Sequence, residues 1–185
     1  MSAIDCPISV PVLRNRIVPV ARIVLPILVL LSLLFATSGC TVQLSPPYDD
    51  ATYKSLVDLN VRTETLFASL SGGGTAADFP THKATYDQLI GGFSAARMAA
   101  ASREVPAAGV KLASNTPLGA SCADNPADCV DPTPGNLDRI IALLTAMRDA
   151  HQHGKLTRGL DVGGFKNQYE TDMNLVLVFE AALKR

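Results

Sequence analysis

The sequence has no tryptophan, three histidines and four cysteines in 185 residues. No Cys-x-x-Cys-His run occurs, which removes covalently attached haem. No Glu-x-x-His pair occurs, which removes the di-iron carboxylate bundle. Gly72-Gly73-Gly74-Thr75 lacks the lysine of a phosphate loop and follows no strand pattern, so it reads as a linker. The formal charge is -1, which excludes nucleic-acid binding through a broad basic surface. Hydrophobic residues at 48% and charged residues at 18% exclude disorder of the whole chain.

The N-terminus is better supplied. Arg14, Arg16 and Arg22 stand against a single Asp5, and residues 23–35 carry no charge. Small residues follow up to Cys40. A basic region, an apolar run and a small-residue site make the anatomy of a secretory signal. The apolar run is shorter than the roughly 20 residues of a bilayer span. The uncharged stretch continues through Cys40, however, so length alone leaves an uncleaved membrane anchor open.

Thr37-Ser38-Gly39-Cys40 resembles the bacterial lipobox, in which two tolerant positions and a small residue precede a cysteine. Thr37 departs from the leucine usual there, and the basic region is longer than in that family. The resemblance implies a diacylglyceryl group on the Cys40 sulfur and cleavage just before it. Residues 1–39 are then a lipoprotein signal peptide, 40–48 a lipidated tether stiffened by Pro46-Pro47, and 49–185 the folded domain. One acyl chain binds a membrane marginally, while several, at about 0.8 kcal/mol per buried methylene, hold firmly. Thr41 stands where enterobacterial lipoproteins kept in the inner membrane carry Asp, so the resemblance points to the outer membrane, facing the periplasm.

Four segments have helical periodicity. The first starts at Asp49 or Asp50, either of which can accept from free amides of a first turn. It carries Tyr53, Leu56, Leu59, Phe67 and Leu70 and stops at Gly72–Gly74. The second runs from Pro80 or Thr81 to about Glu104, with Tyr86, Leu89, Ile90, Phe93, Arg97 and Ala100 on one stripe. Gly91-Gly92 inside it costs about 2 kcal/mol against two alanines, which implies a kink, a close helix crossing or a break. The third runs from Asn136, as cap, to about His151. The fourth spans about Phe165 to Lys184, after a turn region at Gly159, Gly163 and Gly164. The expected fold is all-α: an antiparallel four-helix bundle with a long cysteine-containing loop between the second and third helices. That loop, 106–135, contains five prolines and three glycines, so no helix is expected in it.

An oxidising periplasm makes a Cys122–Cys129 disulfide the natural expectation, worth about 2.5 kcal/mol for so short a ring. A metal pair is the rival, with Asp124 and Asp128 nearby, but zinc asks for more nitrogen or sulfur. His151-Gln152-His153 reads as a solvated helix terminus rather than a metal site, since positions two apart point to different sides. Arg97 and Glu180 are the charges on apolar stripes. They pair with each other across the second and fourth helices, pair with others such as Arg139 or Arg148, or reach to water. Gly92-Phe93-Ser94-Ala95-Ala96 is a chance echo of a nucleophile elbow, which needs a strand-to-helix turn in a large sheet.

With Tyr48-Asp49-Asp50, Phe79-Pro80-Thr81-His82 and Val178-Phe179-Glu180-Ala181-Ala182 added to the lipobox, the chain resembles uncharacterised small helical lipoproteins of Gram-negative bacteria. The resemblance implies fold and location and supplies no catalytic residue, cofactor or metal. The expected role is a non-enzymatic interaction or structural component of the cell envelope. Its partner would be a secretion or transport complex, peptidoglycan or a toxin. The alternative is a small-molecule or metal-binding bundle, with Met98, Met147, Met173 and His151 as soft ligands.

Overall fold

The chain folds as helices, and the computed structural model describes residues 42–116, 122, 125–157 and 160–184. Cys40 and the signal segment 1–39 lie outside these. Among the described residues the elements are α1 (Asp50–Ser69), α2 (Phe79–Ala101), α3 (Ala107–Ser114), a 3-10 turn (Pro126–Cys129), α4 (Thr133–Gln152) and α5 (Leu160–Leu183). The only β-type pairing among them is one isolated bridge, Gly74 to Leu156.

Each boundary has a local cause. Asp49 caps α1, its carboxylate accepting from the Ala51 amide at 3.0 Å. Pro80 lies in the first turn of α2, where its missing N–H is no loss. α4 starts three residues before Asn136, because Pro134 fits a first turn and the Asp131 carboxylate accepts from the Thr133 amide at 3.2 Å. Asn136 is not the cap; it is buried inside that turn and accepts from Arg139. His153-Gly154 ends α4. Gly154 takes φ 65°, and the Gly154 and Lys155 amides close back on the His151 and Ala150 carbonyls. α5 also starts early, at Leu160, since Asp161 accepts from the Thr157 amide at 2.9 Å. Gly163 and Gly164, expected in a turn, lie inside this helix.

The proline-rich segment contains a helix after all. Ala107–Ser114 follows Pro106, whose extended backbone starts the turn. Gly109 in α3 lies so close to the Leu44 carbonyl that a Cβ would meet it at 2.2 Å. Residues 43–48, read as a tether, therefore lie along the body, with Pro46 buried.

Among the four long helices α1 packs on α2, α2 on α4, α4 on α5 and α5 on α1. Their inward faces supply one core, in which Leu56, Phe67, Tyr86, Leu89, Phe93, Leu137, Ile140, Leu144, Met147, Tyr169 and Val176 are buried. The stripe periods of the sequence are the cause, since one face of each helix is apolar. α2 runs unbroken through Gly91-Gly92. Gly92 faces α1, where an added Cβ would lie 2.5 Å from Leu59 Cδ2, while at Gly91 nothing lies within 4 Å. Of the three sequence alternatives, the close crossing holds.

The two glycines should respond differently to alanine. Gly91→Ala should stabilise by about 1 kcal/mol through helix propensity. Gly92→Ala should be worse than Gly91→Ala by about 1–3 kcal/mol through overpacking on Leu59. Urea unfolding of both variants checks the pair, and equal stabilisation would remove the crossing constraint.

Candidate functional site

Two buried polar clusters stand at opposite ends of α2. The first is centred on Arg103, two residues beyond the last turn of α2. Its side chain is 6% exposed. Nη1 donates to Glu180 Oε2 at 2.8 Å and Nη2 to Glu180 Oε1 at 2.7 Å. Nη2 also donates to both Asp131 oxygens, at 3.1 and 3.0 Å. Glu180 is fully buried and accepts as well from Thr133 Oγ1 at 2.6 Å. Three helix ends are thus fastened at one guanidinium: the exit of α2, the entry of α4 and the end of α5.

The cluster holds one cation and two carboxylates. Burial pulls the Arg103 guanidinium down, but the Glu180 hydrogen bond and the charges of Asp131 and Glu180 outweigh it, and the net shift is upward. Burial pushes the Asp131 carboxyl up against the opposing pull of Arg103. Beside the cluster, Arg97, Arg103, Asn125, Asp128, Asp131 and Pro134 line a cleft of about 240 Å³. Cys122 and Cys129 form a disulfide across this turn, with Cα atoms 5.8 Å apart. Asn125 organises the ring by accepting from the Ala127 amide and donating to Asp128.

Arg97 and Glu180 do not meet. The buried stripe of α2 runs through Phe93, Ala96 and Ala100, so Arg97 sits at its edge. There it reaches Asp138 of α4 at 3.1 Å in an exposed pair. Arg103 lies three residues beyond Ala100 on that stripe, past its last apolar residue, so apolar periodicity did not single it out. Glu180 is buried on the α5 stripe as its spacing implied. Arg139 pairs with Asp172 and Arg148 with Asp87.

The second cluster closes the other end. His151 is fully buried rather than solvated, while Gln152 and His153 of the expected terminus are exposed. The stripe position of His151 wins over its nearness to the helix end. Its Nε2 lies 2.6 Å from Asp78 Oδ1, and its Nδ1 lies 3.3 Å from the Tyr86 hydroxyl. Phe79 and His82 pack on the ring at 5.5 and 5.4 Å. The loop before α2 is pressed against the imidazole, since a Cβ on Gly74 would meet Nε2 at 2.6 Å. The hydrogen bond to His151 holds the Asp78 carboxyl below the usual carboxylate range, against the upward push of burial. Burial and the Asp78 charge push the Tyr86 phenol well above its ordinary value.

An Asp–His–Tyr chain could relay a proton, but Tyr86 and His151 are both at zero exposure. No substrate atom can reach either ring without opening the end of the body. The arrangement can clamp the 72–78 loop onto α4. Met147 and Met173 are core residues and Met98 is exposed, so the three methionines and His151 do not converge. Among the described residues no group of three or more His, Cys, Asp or Glu side chains is placed to hold a metal ion. Ser94 lies in mid-helix and donates to the Ile90 carbonyl at 2.8 Å. An open groove of about 460 Å³, lined by Leu143, Asp161, Gly164, Phe165 and Gln168, lies between α4 and α5.

Removing Arg103 leaves two buried carboxylates without their cation. Arg103→Met should therefore destabilise by about 3–5 kcal/mol, whereas Arg97→Met should cost at most about 1 kcal/mol. Denaturant unfolding of the two variants checks the contrast. At the other end, a depressed Asp78 contributes stability above the unfolded carboxylate range and loses it as pH falls through the folded value. Asp78→Asn should lower the Tm above about pH 4, with the gap to the parent closing on acidification. A gap constant down to strongly acid pH would contradict the assignment. Comparison of the chain with known protein families, curated proteins and solved structures finds no match.

Proposed function

We propose that the chain is a lipid-anchored, periplasm-facing lipoprotein, a non-enzymatic interaction or structural component of the cell envelope. Residues 43–184 would then be its antiparallel four-helix bundle. The observation that carries the reading is Cys40 at the end of a basic, then apolar, then small-residue segment, with a helical body beginning a few residues later. The Cys122–Cys129 disulfide supports it, since such bonds persist in oxidising compartments such as the periplasm. No described helix is long and apolar enough to cross a membrane.

The antiparallel order draws support from paired positions that run in opposite senses. On α1 and α2, Leu59 meets Gly92 while Arg62 meets Gln88. On α2 and α4, Arg97 meets Asp138 while Asp87 meets Arg148. On α1 and α5, Asn60 meets Tyr169 while Glu64 meets Lys166. Work by contact rather than catalysis is supported by the sealed His151 and the helix-bound Ser94 hydroxyl. The outer membrane is the proposed location, on Thr41 and the lipobox resemblance. The partner is another envelope component, a protein or peptidoglycan.

Intact mass of protein extracted from native membranes tests the anchor. The expected mass is that of residues 40–185 plus acyl chains, lost in a Cys40→Ser variant. A mass equal to the full chain would replace the lipoprotein with an uncleaved anchor.

A further inference from the structure

The described chain begins at one definite end of the helical body. Gln43 and Pro47 line a cleft with Glu104 and Pro106. The Leu44 carbonyl stands on Gly109 of α3, and the Tyr48 ring lies 5.9 Å under the Lys184 ammonium. The Arg103 cluster and the disulfide turn belong to this same end. The Gly72–Gly74 loop and the Asp78–His151 pair lie at the other, one length of α2 away. That helix has 23 residues, so the separation is roughly 35 Å.

Only three residue steps join Cys40 to Gln43, and an extended chain covers at most about 3.3–3.6 Å per residue. Acyl chains on Cys40 therefore hold this end within roughly 10 Å of the lipid surface. The same end exposes apolar side chains that the core does not use. Leu112 on α3 is 53% exposed and Leu44 is 46% exposed. Lys111 beside Leu112 is exposed and can lay its methylenes on an apolar boundary while its ammonium stays in water.

We propose that the α3 end of the body rests on the lipid surface, with Leu44 and Leu112 at the headgroups and the Asp78–His151 end pointing away. The inference rests on the Cys40 anchor proposed above. Two leucines are too little apolar area to bind a membrane alone, and the tether supplies the proximity that makes the contact. Asp49, Asp50, Glu104 and Asp128 stand at this end with Lys54, Lys111 and Lys184, and so nearly balanced a set of charges suits a zwitterionic rather than an anionic surface. The disulfide turn would face the bilayer, and the remote loops 72–78 and 153–157 would be presented to partners.

The test uses the mature acylated protein in phosphatidylcholine vesicles that contain spin-labelled lipid. Leu112→Cys and Ala77→Cys variants, both at exposed positions, carry one thiol-linked fluorophore each, with the Cys122–Cys129 disulfide left oxidised. Intact mass first establishes the acyl chains. Quenching several-fold stronger at 112 than at 77 is the expected result. Equal quenching at both sites, or stronger quenching at 77, in acylated protein would overturn the orientation and leave the anchor standing. A mass without acyl chains would overturn the anchor and the orientation together.

Discussion

The guanidinium of Arg103 is the constraint on which the end of the helical body is built. A buried cation must be met by carboxylates in good geometry, or its desolvation goes uncompensated. Here one fork takes Glu180 bidentately and Asp131 with its remaining reach. Each carboxylate is engaged a second time, Glu180 by the Thr133 hydroxyl and Asp131 by the Thr133 amide. No buried side-chain nitrogen or oxygen among the described residues is left without a partner. Such a network has few alternative arrangements, because shifting any one of the three helix ends leaves a charge unpaired. Whatever the gross stability of the network, its effect is on geometry: it sets where α2 stops, where α4 begins and how far α5 extends.

The proline-rich segment becomes intelligible from there. Its two ends are fixed, at Arg103 and at Asp131, and it has to return within that distance. Within it α3 lies against Leu44 and Val130 through Gly109, and the disulfide closes the turn at Cys129. The bond between Cys122 and Cys129 narrows the conformations of the turn just before Asp131. It therefore acts on the loop and on the presentation of one carboxylate to Arg103, and only indirectly on the apolar core.

Much of this was legible in the residues. The apolar spacing located all four long helices, one of the two candidate caps, Asp49, and His153-Gly154 gave true boundaries, and Gly91-Gly92 left a close crossing as one of three possibilities. Periodicity failed where two residues one apart both suited the stripe. Choosing Arg97 over Ala96 put the wrong charge on the buried face, about 100° away, while Arg103, three residues past Ala100, stood beyond the last apolar residue of the stripe. Composition failed at α3, because proline counts describe a segment and not an eight-residue helix set between two prolines. His151 carried conflicting signals, a stripe position and a helix-end position. Burial prevailed because Asp78, 73 residues earlier, and Tyr86 arrive to satisfy both ring nitrogens. No local pattern encodes such a long-range meeting.

The two polar clusters differ in a way that bears on use. Arg103 joins ends of helices, so opening it requires moving rods that share the main core. Asp78 joins a loop to a helix, and its carboxylate is 46% exposed, so that contact can open locally at a smaller free-energy difference. If the Cys40 anchor holds the Arg103 end near the lipid, the more easily opened cluster stands at the end farthest from it. A body anchored in that way at one end and closed by a loop clamp at the other would change its contact surface without disturbing its attachment. That separation follows from where the chain enters the fold and from which groups are buried, and it requires no catalytic residue.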